Sequence, residues 1–256
     1  MGLSRRDILR KLTWSAGAMI MNFVVRPIAA SPMEDALFRQ IAERSKTDPL
    51  VGAKIGSKEI THRLLSAMKG ENGVHIESVL CALGSLAGYS CQASVRAQAT
   101  AQGLEETTNL VTVITKNGRH FFFGDHLNKP LAESVYSVWN LAGGAAQQGG
   151  CQTLPDVMEI FEHVTNSIET DAFGQPRMTK EHLPQDTPIN YVQTLWPEFL
   201  PMIRKFCPDP EHWPILLGLS VQQMIIMGKD ILDPCQALKL VMESAIPMSK
   251  VDITAS

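Results

Sequence analysis

LVTVITKNGRHFFFGDHL, residues 110–127, is the stretch that decides the fold class, because it is the one clear β signal in the chain. Two runs rich in β-branched and aromatic residues flank Asn117-Gly118, the pair favoured by a two-residue type I′ turn, whose central residues both need positive φ. Such a turn sets Lys116 opposite Arg119 and then Ile114 opposite Phe121, Thr112 opposite Phe123 and Leu110 opposite Asp125 on one face. Thr115/His120, Val113/Phe122 and Val111/Gly124 form the other. Both faces are largely apolar, and an isolated two-stranded hairpin is marginal in water, so the hairpin requires cover on both sides. The expected fold is α+β and predominantly helical, with about seven or eight helices packed around one β-hairpin at about 109–125. The open strand edges also make a homodimer through the hairpin an expectation.

The chain outside the hairpin sets further bounds. Its 256 residues, 45% of them hydrophobic, suffice for a real core. No repeat or linker-like tract divides residues 31–256, which read as a single globular domain. The formal charge of −3 conceals an asymmetry. Residues 1–30 carry five bases (Arg5, Arg6, Arg10, Lys11, Arg26) and one acid (Asp7), so the remainder has 18 bases against 25 acids, or −7. An acidic body without a basic cluster argues against nucleic acid or anionic membrane as a partner.

Ser4-Arg5-Arg6-Asp7-Ile8-Leu9-Arg10 is followed by the uncharged, moderately apolar run LTWSAGAMIMNFVV from Leu12 to Val25, then Arg26 and Ile28-Ala29-Ala30. These residues resemble a twin-arginine (Tat) signal peptide. The match departs from the common pattern at Ile8, where Phe is commonest, and at Ile28, where Ala is usual. The resemblance covers residues 1–30 alone. It implies a Tat export machinery as partner, a periplasmic address, and passage across the inner membrane already folded. The run is shorter than the ~18 apolar residues of a spanning helix, so no stable membrane span is expected after cleavage. A cytoplasmic chain starting at Met33 is the alternative. On either reading Ser31-Pro32-Met33-Glu34 has the form of a helix start.

Helices are expected from Pro32 to Ser45, Ser57 to Met68, Val74 to Gly103, Leu131 to Gln148 and Leu154 to Ser167, with a polar loop over residues 168–186. Gly84-x-x-x-Gly88 belongs to a stripe of small residues and signals close helix packing in a core. Gly143-Gly144 should interrupt its helix. The Gly-rich run from Gly143 to Gly150 lacks the strand and the Lys-Ser/Thr of a phosphate loop and reads as a helix end. Thr187-Pro188, Asp209-Pro210 and Asp233-Pro234 each set an N-cap residue before a first-turn proline. Of the helices they announce, the first should kink or split at Pro197 and Pro201. The second, Pro214 to Met227, is apolar almost all round and buried, and the third should end near Ser244.

Five cysteines are an odd number for an oxidising compartment. Cys81 and Cys91 lie ten residues apart on one helix, about 15 Å of rise, beyond the ~7 Å reach of a disulfide. Cys207 and Cys235 flank one helix from opposite ends. Most of the five are therefore expected to be buried free thiols, which weighs against export.

The best candidate site is Gly124-Asp125-His126-Leu127-Asn128. Asp125 and His126 set a carboxylate beside an imidazole at a strand end, next to a glycine that permits close approach, and Asn128 adds an amide. A turn that bonds Asp125 and Asn128 to the backbone and leaves His126 solvated is the simpler account. His75 and Glu77 form a second candidate, for which a carboxylate complementing a helix N-terminus suffices. His62 and His163 have no ligand-spaced partner, and no nucleophile motif or clustered metal ligands stand out. Trp139, Trp196 and Trp213 fit core or interface anchors. No cofactor is implied by the residues. The expected function is an exported binding or assembly protein without catalysis; the alternatives are a periplasmic enzyme or cofactor-binding protein using the Asp125/His126 region, and a cytoplasmic interaction protein starting at Met33.

Overall fold

The computed structural model describes residues 32–253 apart from Asn72, so the twin-arginine-like segment and Ser31 lie outside the described residues. The elements in order are α1 (Pro32–Arg44), α2 (Val51–Ala67), β1 (Lys69–Gly70), β2 (Gly73–Val74), α3 (Ile76–Ala101), β3 (Val111–Ile114), β4 (His120–Phe123) and the single turn α4 (Asp125–Asn128). A π-turn (Lys129–Glu133) comes next, then α5 (Val138–Gly149), α6 (Val157–Asn166), α7 (Pro188–Phe206), α8 (Trp213–Gly228) and α9 (Pro234–Lys250). The fold is α+β and predominantly helical, with eight helices of ten residues or more among the described residues. No described helix is long and apolar enough to cross a membrane.

Helix α3 is the axis of the core, buried almost without interruption from Ile76 to Cys91. Its small residues explain how. A Cβ on Gly84 would come within 2.7 Å of the Val241 carbonyl oxygen, and one on Gly88 would overlap the backbone of Ala245. The two glycines, one helical turn apart, let α9 lie directly on α3, and one continuous hydrophobic cluster surrounds that crossing. Helix α8 fills the side between α2, α3 and α5, where its all-round apolar surface has neighbours to bury it.

The hairpin forms, but with a different turn and register from those expected. Thr115 N–H donates to the Arg119 carbonyl and Gly118 N–H to the Thr115 carbonyl, and only Gly118 has positive φ, at 81°. This is a three-residue loop, a type I turn closed by a glycine bulge, in place of the two-residue type I′ turn. The change slips the pairing by one residue, to Val111↔Phe123, Thr112↔Phe122, Val113↔Phe121 and Ile114↔His120. The physical reason is a local capping network: the Thr115 hydroxyl accepts from Arg119 N–H, and the Asn117 carboxamide accepts from the Thr115 hydroxyl. Cover is also unequal. Phe121 and Phe122 on β4 are buried to opposite faces, whereas Val111, Val113 and Ile114 on β3 stay 59%, 43% and 62% exposed. Beyond β4, Phe121 bridges to Val251, and Asp252 N–H donates to the His120 carbonyl. A second, two-residue hairpin, β1–β2, was not expected.

Several helix bounds move because packing overrides local signals. Helix α2 starts at Val51, six residues early, since Gly52 and Gly56 face Phe206 at close contact. The helix expected from Leu131 begins at Val138, where Ser137 caps by accepting from Asn140 N–H. Gly143-Gly144 do not interrupt it. Helix α7 runs unsplit through Pro197 and Pro201. Gln193, Pro197 and Pro201 recur every four residues on the exposed face, so the carbonyls those prolines leave unbonded meet water. Helix α9 continues past Ser244 through Pro247 to Lys250, because Ala245, Ile246, Pro247 and Met248 are buried.

Three of the five cysteines are the buried free thiols expected of most of them, and the other two form a pair that was not foreseen. Cys81, Cys91 and Cys207 are buried free thiols, but Cys151 and Cys235 form a disulfide with Cα atoms 5.1 Å apart. The pairing joins the end of α5 to the start of α9, and α6, α7 and α8 lie between them in sequence.

Candidate functional site

Gly124, at φ 118°, turns the chain out of β4 and caps α4, its carbonyl accepting from Leu127 and Asn128 N–H. That turn buries Leu127 and leaves Asp125 and His126 exposed. The two side chains are not brought together: neither forms a hydrogen bond or ion pair with a described residue, and they make no acid–base pair. His126 instead lines a cleft of about 180 Å³ between the end of α3 and the loop before α5. Asn109, Lys129, Ser134, Tyr136 and Glu211 line it with His126, so it offers donors, acceptors and both signs of charge to a small polar molecule. Asp125 and Asn128 are not among its lining. The Asn128 carboxamide oxygen is buried with no partner, in place of the expected bond to its turn.

The second sequence candidate becomes the better-built one. Glu77, buried in the first turn of α3, takes His182 Nδ1 on one carboxylate oxygen at 2.9 Å and His75 Nε2 on the other at 3.4 Å. Ser78 N–H donates to His75 Nδ1, which assigns the lone pair to that nitrogen and the proton to Nε2, facing Glu77. His182 in turn presents Nδ1–H to the carboxylate and keeps Nε2 on its half-exposed outer edge. Such a carboxylate orients an imidazole as a proton acceptor or ligand. No nucleophile accompanies it: Ser78 Oγ, 2.9 Å from His75 Nδ1, is buried and also accepts from Gln185 N–H. Through His182 and Gln185 the cluster ties the loop of residues 179–187 to α3.

Two buried charges sit on α9. The carboxylate of Glu243 accepts from Arg177 Nε at 2.8 Å, and Arg177 also grips the exposed Glu159 through two bonds. These carboxylates hold the guanidinium charged, and Arg177 holds the Glu159 carboxyl below the usual range. Among the described residues no carboxylate pairs with Lys250. Its ammonium lies 4.5 Å from the Phe123 ring centre and 5.5 Å from that of Phe161, and burial pushes its pKa down to about 8. No group of three or more His, Cys, Asp or Glu among the described residues is arranged to hold a metal ion.

Sequence reasoning had no access to His182, 105 residues from Glu77, or to Arg177, 66 residues from Glu243. No local pattern marks either. Comparison of the chain with protein-family models, with characterised proteins and with solved structures finds no match.

Proposed function

We propose that this chain is an exported binding or assembly protein that completes its structure in an oxidising compartment. The Cys151–Cys235 disulfide carries the reading, since such bonds persist outside the reducing cytosol. It answers the objection raised by the odd cysteine count. The other three thiols are buried, and burial pushes those of Cys81 and Cys207 up to about 12, so they neither compete for oxidation nor mispair. A Tat passenger crosses already folded, and here the fold itself brings the two sulfurs together. Oxidation after export then requires no rearrangement.

The test is expression from Met1 in a host with twin-arginine export, then native mass spectrometry and thiol counting of both fractions. The expected species is periplasmic, begins near Ser31 and has three free thiols. A cytoplasmic species with five free thiols overturns the reading. The binding half rests on the cleft beside His126. Alanine at His126 and Lys129 should remove any extra mass carried by the periplasmic species while leaving the urea midpoint unchanged; mass that survives puts the ligand elsewhere. The assembly half rests on the exposed strand β3, which favours self-association through the hairpin.

A further inference from the structure

Strand β3 lacks the devices that keep an edge from pairing: residues 110–115 contain no charge and no proline. Its geometry fixes which backbone groups remain open. Thr115 N–H bonds to Arg119 across the hairpin, so by alternation Val113 and Val111 also point their polar groups at β4. Even-numbered residues turn theirs outward. Two of these are already engaged, Leu110 N–H by the Thr107 carbonyl and Lys116 N–H by the Glu169 carboxylate, both at 2.9 Å. What stays open is the N–H and C=O of Thr112 and of Ile114, for which no described residue provides a partner.

We propose that β3 of a second copy pairs antiparallel with this edge, on a two-fold axis through Val113, to join two hairpins into one four-stranded sheet. This deepens the assembly half of the proposed function and rests on it. A two-rung opening sets its own register: Thr112 opposite Ile114 of the partner, and the reverse, satisfies all four open groups with four hydrogen bonds. A one-step shift either way calls on Leu110 or Lys116, whose N–H groups are taken. In this register Val113 meets Val113, Thr112 meets Ile114 and Val111 meets Thr115. Every pair is β-branched, and no like charges oppose. The free edge is short, which places the interface below the 1,200–2,000 Å² of stable complexes and makes the dimer concentration-dependent.

The test uses the full chain carrying Val113→Cys or Thr112→Cys. Val113 and its mate occupy a non-hydrogen-bonded pair with Cα atoms about 4.5 Å apart, within disulfide range, whereas two Thr112 residues lie roughly 8–9 Å apart, beyond it. Under mild oxidation V113C should cross-link at least about tenfold faster than T112C, and the wild type should pass from monomer to dimer in sedimentation between about 1 and 300 µM. V113K, with two ammonium groups on the axis, should remain monomeric with an unchanged urea midpoint. Equal cross-linking of the two cysteine variants, or a wild-type monomer at the top of that range, overturns the proposal. A monomer that is periplasmic and disulfide-bonded leaves the export reading standing, and a dimer confined to the cytoplasm does the reverse.

Discussion

Removing the Cys151–Cys235 bond should be among the most damaging small changes this fold can undergo. The bond links residues 84 apart in sequence. In the chain-entropy account, closing a loop of that length removes 2.1 + 1.5R ln n of entropy from the unfolded ensemble, about 15 cal/mol/K, or about 4.6 kcal/mol at 25 °C. For a body of this size each kcal/mol shifts Tm by about 2–4 °C, so the expected fall is roughly 9–18 °C. The assay is urea unfolding monitored by tryptophan fluorescence, on oxidised protein, on protein reduced with a phosphine, and on the double variant C151S/C235S. The reduced and double-variant proteins should coincide. Their m-value should rise above that of the oxidised protein, because an uncrosslinked chain exposes more surface on unfolding. Native alkylation supplies the control: oxidised protein labels at no cysteine and reduced protein at Cys235 alone, since Cys235 is half-buried whereas Cys81, Cys91, Cys151 and Cys207 are buried. A loss below about 1 kcal/mol would refute the reasoning and mean that the cross-link barely restricts the unfolded chain. Five alkylatable thiols after unfolding of aerobically purified periplasmic protein would refute the bond itself.

Three further changes test the packing and the charges. Arg177→Ala strands the buried Glu243 carboxylate and should destabilise by about 3–5 kcal/mol in chemical denaturation, with much of the loss recovered by adding Glu243→Gln; no recovery would mean that Arg177 contributes packing alone. Gly88→Ala drives a methyl into the Ala245 backbone and should cost about 3 kcal/mol or more, whereas Gly144→Ala, whose Cβ meets nothing on an exposed turn of α5, should stabilise by about 0.5–1 kcal/mol. Equal effects would refute the α3–α9 crossing. Lys250 binds its proton less tightly folded than unfolded, its pKa falling from 10.5 to about 8. The unfolded chain therefore holds more protons between those values, and stability should rise with pH from about 8 to about 10.5, by about 3 kcal/mol for this group. Subtracting the profile of Lys250→Met isolates that rise from the tyrosines; a flat difference would show that the aromatic rings fully replace the lost hydration.

What the sequence by itself determined is what depends on neighbours along the chain. Thr187, Asp209 and Asp233 each cap the helical segment that the adjacent proline opens, because a capping bond spans only two or three residues. The all-round apolarity of α8 marked it as buried, and Gly84-x-x-x-Gly88 marked a close crossing, since both are periodic patterns on one helix. The hairpin was legible as a hairpin, yet its turn was not. Asn117-Gly118 satisfies both loop geometries, and the choice fell to the hydroxyl of Thr115.

Tertiary structure decided everything that needed a partner from afar. It chose α9 to lie on the glycines of α3, carried α9 through Pro247 by burying Ala245, Ile246 and Met248 around it, and let Pro197 and Pro201 stay in a helix because their unbonded carbonyls face water. It separated Asp125 from His126, adjacent in sequence but unpaired in space, and gave Glu77 a histidine 105 residues away. It also brought Cys151 to Cys235, a pairing that sequence separation neither favours nor forbids. Side chains one residue apart share a peptide bond but seldom a direction, whereas residues on packed helices share a surface at any separation.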